Sequence, residues 1–579
     1  MNADTEADTD TAAEYDVVIS GLGPTGLTLA HLLGQRGRSV LILEREPEFY
    51  GNARAVYTDD ECMRIFQHAN LGQELAEDML LDMPFQWVLP DGTVLNQYRH
   101  LARPYGWPIC NLFYQPFLEE KMAALLARYP SMRLRRGREV TRSAQDGRGV
   151  QVFHVASTAQ HYNKPAPTSA TPAQPQPNEQ AVRGKYFVAC EGGRSVTRTQ
   201  LGIQMTGQSF PNPWLVVDIK ENPGEDCLRH LPYFNFYCDP ACPTVSCRQP
   251  NGHHRFEFML MPGQSREYME DPATVRQYLS RYVDVDKVTI LRRLVYTFNA
   301  LIAQQWRSGR VFLAGDAAHM TPQFIGQGMN AGVRDAYNLA WKLDAVLAGT
   351  AGEQLLDTYQ SERLPHAKSM IDTSILMKDF VSVSNPLKAM LRNGLVRLVQ
   401  RTPGLSVLLR EARFKPQPVY PQGSYFGLPR RKRSGPEGRL TPQPMVLTRN
   451  GKQVLLDTIL GHDYALIGAS VDPRTHLAPA DRQLLDALGT SYVALYPHGG
   501  RPQGEVSRSG PAGLVELEDL SGQGIDWFAR SGVGAHAVAL VRPDKFAFGV
   551  VRAQSASQLV AALRTQLGQP RQPAMREAA

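Results

Sequence analysis

YDVVISGLGPTGLTLAHLLGQRGRSVLILE, residues 15–44, contains the signals of a strand, a helix and a second strand in direct succession. An apolar, β-branched run leads into GLGPTG, where Gly21, Gly23 and Gly26 have G-x-G-x-x-G spacing. The apolar face of LTLAHLLG predicts a helix, and SVLILE predicts a second buried strand that ends at Glu44. The stretch therefore predicts a βαβ unit that binds a dinucleotide.

Each glycine of this turn has a physical task in a Rossmann-like fold. One permits the tight turn, one lets the backbone approach a pyrophosphate, and one lets the helix pack closely on the strand. Free N–H groups at the helix start favour phosphate oxygens. Glu44, followed by Arg45, stands where a carboxylate can accept hydrogen bonds from a ribose. A second glycine run, GVGAHA at residues 532–537, precedes a predicted strand and not a helix, so it does not predict a second nucleotide site.

The composition is that of an ordinary globular protein with several domains. The 579 residues exceed one core, and 43% of them are hydrophobic and 20% charged. The net charge of +6 is mild and the basic residues are scattered, so no nucleic-acid partner is predicted. No run of about 18 apolar residues predicts a membrane span. The acidic residues 1–14 lack the features of a secretory signal and predict a disordered tail.

Cysteine usage indicates a reducing compartment. Seven cysteines at irregular spacing do not describe a disulfide framework, so a cytoplasmic location is predicted. Cys238, Cys242 and Cys247 lie near His253 and His254, which raises a zinc hypothesis. The paired C-x-x-C spacing of zinc ribbons is missing, and no metal site is predicted.

A second glycine-rich segment, VFLAGDAAHMTPQFIGQGMN, occupies residues 311–330. An apolar strand ends at Gly315 and Asp316, and a glycine turn precedes a predicted long helix. Such a turn offers N–H groups to an electron-rich ligand. Asp316 and His319 therefore belong either to an acid-base pair or to the cradle of a large cofactor.

GLGPTG with Glu44, together with LAGDAAHMTP and GQGMN, resembles the FAD-dependent aromatic hydroxylases, which are single-component flavoprotein monooxygenases. ARAVYTDDECMRIFQ, CEGGRSVTR and RFEFML look most like the 3-(3-hydroxyphenyl)propionate hydroxylases. The resemblance covers residues 15 to about 380 well and the remainder more loosely.

The resemblance implies a set of cofactor-binding positions. Asp316 would bind the ribityl chain of FAD, and the backbone after Pro322 would hold the pyrimidine edge of the flavin. Arg54 would lie near flavin and nicotinamide, and Gln115 beside the flavin; the alternatives are a surface-loop arginine and a polar helix start. The implied FAD-binding residues are Gly21, Gly23, Gly26, Glu44, Arg45, Arg54, Gln115, Glu191, Gly192, Gly315, Asp316, Pro322, Gly326, Gln327 and Gly328.

Two positions depart from the family pattern. Glu191 stands where relatives have the Asp of an Asp-Gly pair that serves FAD and nicotinamide, and Gln323 replaces the second proline after the histidine. His319 is interpreted as a histidine packed beside the flavin, in preference to a general base. No catalytic residue is identified from the sequence.

The implied fold is α/β. Residues 15–413 are predicted to form a Rossmann-like FAD-binding domain interleaved with an antiparallel-sheet substrate domain, as in p-hydroxybenzoate hydroxylase. The substrate sheet falls mainly in residues 206–298, and the Pro- and Gln-rich residues 157–180 predict a flexible insertion.

The C-terminal part is predicted to follow a linker at residues 414–445. Residues 446–570 resemble the thioredoxin-like domain of phenol hydroxylases. No cysteine follows Cys247, so the C-x-x-C pair that thiol chemistry needs is missing. The domain is therefore predicted to be structural, as a packing surface in a homodimer or other homo-oligomer.

The implied activity is hydroxylation of a monophenol ortho to its OH, with bound FAD, transient NADH or NADPH, and O2. The expected substrate is 3-(3-hydroxyphenyl)propionate or 3-hydroxycinnamate, in aromatic catabolism. Tyr233, Tyr237 and His254 can reach a phenol from the substrate sheet, although sheet packing is the commoner role. The alternatives are a larger polycyclic or polyketide phenol, and a flavin sensor or electron carrier that does not oxygenate.

Overall fold

The computed structural model describes residues 14–49, 54–157, 176–210, 213–411, 415–429, 435–502 and 513–568. The predicted tail, except residue 14, and most of the predicted insertion at 157–180 lie outside the described residues. None of the described helices is both long and apolar enough to cross a membrane.

The described chain alternates strands and helices up to α9 and then becomes helical before a second α/β unit. The strands are β1 Glu14–Ser20, β2 Val40–Glu44, β3 Tyr57–Thr58, β4 Leu80–Leu81, β5 Phe85–Val88, β6 Val94–Tyr98, β7 Asn111–Leu112, β8 Met132–Arg136, β9 Arg138–Gln145, β10 Val150–Ala156, β11 Gln180–Ala189, β12 Met205–Ser209, β13 Trp214–Glu221, β14 Phe234–Tyr237, β15 Thr244–Arg248, β16 His253–Met259, β17 Val288–Tyr296, β18 Asn299–Ala303, β19 Arg307–Ser308, β20 Val311–Leu313, β21 His319–Met320, β22 Met445–Leu447, β23 Gln453–Leu455, β24 Ala465–Ala469, β25 Ser491–Pro497, β26 Leu514–Asp519, β27 Ala537–Val541 and β28 Ala547–Arg552. The helices are α1 Pro24–Gly34, α2 Asp60–His68, α3 Gly72–Ala76, α4 Gln115–Leu125, α5 Val196–Gln200, α6 Arg266–Glu270, α7 Pro272–Leu279, α8 Gly328–Leu347, α9 Thr358–Val381, α10 Pro386–Arg401, α11 Ser406–Arg410, α12 Leu456–Leu460, α13 Pro479–Ala487, α14 Gln523–Arg530 and α15 Ala556–Leu567.

The first sheet is built around the predicted βαβ unit. Its strand order is β19-β20-β11-β1-β2-β8, and β10 and β9 form an antiparallel extension on β11. The pairs β20–β11, β11–β1, β1–β2 and β2–β8 are all parallel. The apolar run of β1 is buried because both sheet faces are covered, and Leu27, Leu29 and Leu33 of α1 are fully buried against it. Each such leucine contributes roughly 1.5–3 kcal/mol to folding.

The second sheet has the order β17-β13-β16-β15-β14-β5-β6. All of its pairs are antiparallel except β14–β5, which is parallel. Two of its seven strands, β5 and β6, precede the 206–298 segment in which the substrate sheet is mainly predicted. β12, in contrast, pairs with β18 in a separate three-stranded sheet.

The C-terminal unit is a mixed sheet in the order β23-β22-β26-β25-β24-β27-β28. β24, β25 and β26 are parallel, and the antiparallel hairpin β27–β28 joins β24, which is the mixed arrangement expected of the predicted thioredoxin-like domain. The described part of the predicted linker packs against this unit: Tyr420 and Tyr425 are buried, and the ring of Tyr420 stacks on Phe546 at 4.2 Å.

A buried ionic cluster joins the two units. Arg542 donates to both carboxylate oxygens of Glu362 on α9, each at 2.9 Å, and Lys342 of α8 donates to Glu362 at 2.9 Å. Asp544 accepts from Arg542 and from the indole nitrogen of Trp341. All four charged side chains are fully buried. We refer to Lys342, Glu362, Arg542 and Asp544 as the interdomain ion cluster.

Candidate active site

The predicted cofactor residues meet at one edge of the first sheet. Because β20, β11, β1 and β2 are neighbouring parallel strands, their carboxyl ends lie side by side. Gly21 follows β1, Glu44 ends β2, Glu191 follows β11 and Asp316 follows β20. Residues that are up to 295 positions apart are thereby brought to one crevice.

The glycine turn after β1 has the shape that a phosphate ligand requires. Gly21 has φ +101°, and a Cβ on Gly26 would overlap the carbonyl oxygen of Gly21. Only glycine fits at these two positions, which hold the turn against the start of α1. Gly23 differs, because a Cβ there would meet no described atom within 4 Å. The space in front of Gly23 is therefore open to a ligand.

α1 and α8 cross in direct contact, and this contact joins the two glycine motifs. A Cβ on Gly332 would overlap Thr25 Oγ1, and a Cβ on Gly315 would lie 2.6 Å from the same atom. Thr25 is the second residue of α1, so the carboxylate-bearing turn at Asp316 lies beside the phosphate-type turn at Gly23. One elongated dinucleotide can contact both turns.

Asp316 is available to a ligand, whereas His319 is not. The Asp316 side chain is partly buried and makes no hydrogen bond with the described residues; burial raises its pKa, which nearby Arg54 and His319 oppose. His319 is fully buried, and its Nε2 lies 2.6 Å from Asp335 Oδ2. The same carboxylate accepts from Arg363 at 2.9 Å and from the Gly315 N–H at 3.0 Å. His319 is therefore part of the support of Gly315 and is not paired with Asp316.

Glu44 and Arg45 lie at the end of β2. Glu44 accepts from the Leu22 N–H at 2.7 Å and from the Glu46 N–H at 2.9 Å, so its carboxylate also fixes the turn after β1. Arg45 Nε lies 3.4 Å from Glu46 Oε1. Each carboxylate oxygen of Glu44 keeps a further lone pair that a ribose hydroxyl can use.

Arg54 and Gln115 are held together. Gln115 Oε1 accepts from the backbone N–H groups of Arg54 and Ala55, both at 2.6 Å, and its amide nitrogen donates to Glu119 at 2.6 Å. The polar atoms of Gln115 thus fix the Arg54 segment on α4. Arg54 Nη1 lies 4.0 Å from the position that a Cβ on Gly192 would take, so it reaches the crevice at the end of β11.

The Glu191 side chain is directed to a helix start. It accepts from Ser195 Oγ at 2.6 Å, from the Thr197 N–H at 3.0 Å and from Thr197 Oγ1 at 2.7 Å. A carboxylate that accepts three hydrogen bonds at the first turn of α5 has little remaining capacity to accept hydrogen bonds from a ligand. Gly192 follows with φ +74°, so at this position the backbone is what faces the crevice.

The segment from Pro322 to Gly328 forms a turn in front of α8. Gly326 is in the left-handed region, with φ +61°, and a Cβ there would lie 2.5 Å from the ring of Tyr57. The Gln327 side chain is fixed at both of its polar atoms, because it donates to Asp59 at 3.1 Å and accepts from Arg334 at 2.8 Å. The first N–H groups of α8, which begins at Gly328, have no partner within the helix and can serve a ligand.

Gln323, the residue that replaces a proline, is hydrogen-bonded to Glu257 of β16. Glu257 is buried, and burial raises its pKa to about 7, opposed by the Arg255 guanidinium. The departure from the family pattern thus has a specific partner in the second sheet.

A cavity adjoins this turn. Its empty volume is about 700 Å³, part of it open to solvent. One wall consists of Phe324, Ile325 and Gln327 from the turn, and the opposite wall of aromatic rings from β5, β6 and β14. These rings are Phe85, Tyr98, Phe234 and Phe236. Such an apolar, concave site with a few polar groups is typical of a small-molecule pocket.

The aromatic residues predicted as possible phenol contacts are not in this wall. Tyr237 packs on Tyr282 at 4.9 Å on the other face of the sheet, and His254 donates to or accepts from Ser246 at 2.8 Å inside the sheet. Strand alternation explains the difference, since Phe234 and Phe236 face the cavity while Tyr233 and Tyr237 do not. Phe85 and Tyr98, which do line it, carry no local motif.

The geometry fits FAD on three observations. The approach to Gly23 is open, Asp316 has a carboxylate without a partner among the described residues, and α1 contacts α8 so that both lie in one crevice. The α1–α8 contact is the strongest of the three observations. If the two glycine motifs bound two separate nucleotides, they would not have to meet at Thr25. Among the described residues, no group of three or more His, Cys, Asp or Glu side chains has the arrangement of a metal site.

Replacing Asp316 by alanine should weaken FAD binding by about tenfold to a hundredfold, because a hydrogen bond to a charged group contributes about 1.5–3 kcal/mol. Titration of the apoprotein with FAD, followed by flavin fluorescence, measures the Kd. The control is Asp286→Ala, at a carboxylate that is 81% exposed and paired with Arg276. An unchanged Kd for the Asp316 variant would contradict its assignment to the cofactor.

Comparison with known proteins also indicates an FAD-binding protein. A family profile described as "FAD binding domain" matches residues 14–374, and one described as "HcaD C-terminal domain" matches residues 438–566. The 3-(3-hydroxy-phenyl)propionate/3-hydroxycinnamic acid hydroxylase of Klebsiella pneumoniae (strain 342) is 34% identical over 94% of this chain and 94% of its own length. The protein of the same name from Burkholderia cenocepacia (strain HI2424) is 34% identical over 96% of this chain and 98% of its own.

Solved structures show the same fold. The flavin-dependent monooxygenase PieE, in complex with FAD and substrate, has a TM-score of 0.74 at 20% identity, covering 96% of this chain and all of its own. Aklavinone-11 hydroxylase, with FAD and aklavinone, has a TM-score of 0.72 at 21% identity, covering 96% and 98%. The predicted fold class is confirmed, with the FAD-binding and substrate sheets followed by a C-terminal domain. From its family profile and its relatives, the chain belongs to the FAD-dependent aromatic hydroxylases and is a flavin monooxygenase.

Proposed function

We propose that this enzyme hydroxylates a monophenol ortho to its OH, using NADH or NADPH and O2, and that the phenol is 3-(3-hydroxyphenyl)propionate or 3-hydroxycinnamate. The position of the cavity carries the proposal: Phe324, Ile325 and Gln327 belong both to the cofactor turn and to the cavity wall. A substrate in the cavity would therefore lie next to the flavin. The names of the relatives support this choice of phenol.

The residues implied for FAD then have distinct tasks. The turn at Gly21, Gly23 and Gly26 would hold the pyrophosphate, Glu44 the ribose, and Asp316 the ribityl chain. The N–H groups that begin at Gly328 would hold the pyrimidine edge. When bound and reduced, FAD supplies the chemistry that activates oxygen.

The chain's own contribution to the reaction is orientation and exclusion of water. Phe85 stacks on Tyr98 at 4.9 Å and packs on Phe234 at 4.8 Å, so a planar phenol in the cavity would pack against rings that hold one another in place. Tyr57 Oη donates to the Ile109 carbonyl at 3.1 Å, and burial holds its pKa well above the usual range. Tyr57 therefore keeps its proton and forms part of the dry wall of the cavity.

We propose that the nicotinamide cofactor binds only transiently. We also propose that the enzyme is located in a reducing compartment, the cytoplasm. The absence of a second Rossmann fingerprint in the sequence supports transient binding, and Arg54, held on Gln115 at the crevice edge, is the cation we propose for it. All seven cysteines are free, which supports the reducing compartment.

Substrate-stimulated oxidation of NADH or NADPH tests the function. With 3-(3-hydroxyphenyl)propionate we expect faster consumption of the nicotinamide, matched by oxygen uptake and by formation of the 2,3-dihydroxy product. A polycyclic phenol is the comparison substrate. Product from the polycyclic phenol alone would contradict the proposed substrate, and no product from any phenol would contradict oxygenation itself.

A further inference from the structure

The cavity is lined by cationic as well as aromatic side chains. Arg99 and His100 follow β6 directly and line the cavity together with Tyr98. Tyr98 stacks nearly parallel to Phe85, with 10° between the ring planes. A ligand in the cavity can therefore contact both aromatic rings and the Arg99 guanidinium.

The charges of Arg99, Arg103 and Asp82 do not cancel. Arg99 donates to Asp82 Oδ2 at 2.6 Å, and Arg103 donates to the same oxygen at 3.4 Å. Two guanidinium groups thus share one carboxylate, which leaves one positive charge in excess. The side chains of Arg99 and Arg103 are 49% and 52% exposed, and Arg99 is the one that lines the cavity.

Asp82 has a positive backbone φ. Its φ is +60°, in the left-handed region that Asp and Asn adopt more often than other residues apart from glycine. It lies between β4 and β5, where this turn directs its side chain to the cavity.

The other cavity cation is already neutralised. Lys415 Nζ donates to Asp59 at 2.7 Å and lies 3.8 Å from Asp60 Oδ1, so two buried acids surround it. Asp59 is also paired with Arg334. Among the described residues, Arg99 is therefore the cavity-lining cation whose carboxylate partner is shared with a second guanidinium, that of Arg103.

We propose that Arg99 is the carboxylate-binding residue of the substrate site, so that the enzyme selects phenols that carry an aliphatic acid side chain. The guanidinium can bind both oxygens of a carboxylate at once, and Arg103 then compensates Asp82. This inference rests on the proposed function, because it assigns the specificity of the same cavity. Arg99 acts on binding and not on the reacting carbon.

The test compares an acid and its neutral counterpart on the FAD-loaded enzyme. The ligands are 3-(3-hydroxyphenyl)propionate and 3-(3-hydroxyphenyl)propan-1-ol, and their Kd values come from the change that they cause in the flavin absorbance spectrum. Arg99→Gln should weaken binding of the acid by about tenfold to a hundredfold and leave the alcohol within about twofold, because only the acid loses a charged hydrogen bond. Arg99→Lys should restore part of the affinity, since it keeps the charge but not the paired geometry.

Two further variants complete the test. Asp82→Asn should tighten binding of the acid several-fold, because it removes the competing carboxylate while asparagine tolerates the left-handed conformation. Arg276→Gln is the matched control: this arginine is 46% exposed and paired with Asp286 in the same way, and it does not line the cavity. It should change neither Kd.

The outcomes separate the two proposals. An acid Kd that Arg99→Gln leaves unchanged, or a loss of equal size for acid and alcohol, would overturn the carboxylate assignment even if phenols are hydroxylated. Selective loss of the acid supports it. If the wild-type enzyme binds the acid through Arg99 but forms no hydroxylated product, the assignment stands and the proposed reaction fails.

Discussion

Replacing Gly23 by valine should give a folded protein that purifies without FAD. The Cβ position of Gly23 meets no described atom within 4 Å, so the side chain would not disturb α1 or β1. It would instead occupy the space through which the backbone approaches a pyrophosphate. We expect the variant to lose the flavin absorbance between about 350 and 500 nm and all hydroxylase activity, while its circular dichroism remains that of the apoprotein.

Gly147→Val is the matched control for this experiment. Gly147 also has open space at its Cβ position and an ordinary φ, but it lies in the turn between β9 and β10. That variant should stay yellow. A yellow Gly23 variant with a normal flavin content would overturn the assignment of this turn to the cofactor.

Replacing Glu362 by glutamine should destabilise the protein by about 3–5 kcal/mol, the usual cost of removing one partner from a buried ion pair. Glu362 is fully buried and accepts from both Arg542 and Lys342. The substitution keeps the shape of the side chain but leaves the two cations with one carboxylate, Asp544. Urea denaturation of the FAD-loaded enzyme, followed by circular dichroism, measures the loss as a lower midpoint at equal slope.

The pH dependence gives an independent check of the same residue. Burial alone would raise the pKa of Glu362, but Arg542 and Lys342 hold it below its ordinary value. A depressed carboxylate pKa stabilises the fold above the pKa of the unfolded state, about 4.3, and this contribution is lost as the pH falls further. The difference between wild type and variant should therefore be full at pH 7 and narrow below about pH 4.

Asp372→Asn is the control for the ion cluster. Asp372 pairs with Lys368 on the same helix, with both side chains more than half exposed. Exposed pairs of this kind contribute about 0.3–0.5 kcal/mol, so the control should hardly change the free energy of unfolding. Equal losses in the two variants would mean that burial of the cluster has no energetic importance.

The meeting of the two glycine motifs at one sheet edge was predictable from the sequence because their signals are local. The turn at Gly23 and the acid at Asp316 each lie at the end of an apolar strand, and parallel strands bring their carboxyl ends to one edge. The spacing of a motif does not predict which hydrogen-bond partners its side chains have. Glu191 caps α5, and Gln327 is bound by Asp59 and Arg334, because each finds polar partners that lie outside its motif.

The cavity was not predictable for a related reason. Phe85 pairs with Phe234 across two parallel strands that are almost 150 positions apart in the chain. No local period or motif announces such a pairing, since each strand alone is a short apolar run. Arg99 directly follows β6, which pairs with β5 in the same sheet. Its position at the cavity therefore depends on this long-range strand pairing and has no local sequence signal.

The interdomain ion cluster has a consequence for recombination. α8 starts at the turn beside the crevice, and nearly four turns later its Trp341 donates to Asp544 of the C-terminal unit and its Lys342 to Glu362. That unit is therefore not an interchangeable appendage. A gene fusion that grafts a foreign C-terminal domain would leave Glu362 buried with Lys342 but without Arg542, so viable hybrids should be those that carry the α8–α9 segment along with its own partner.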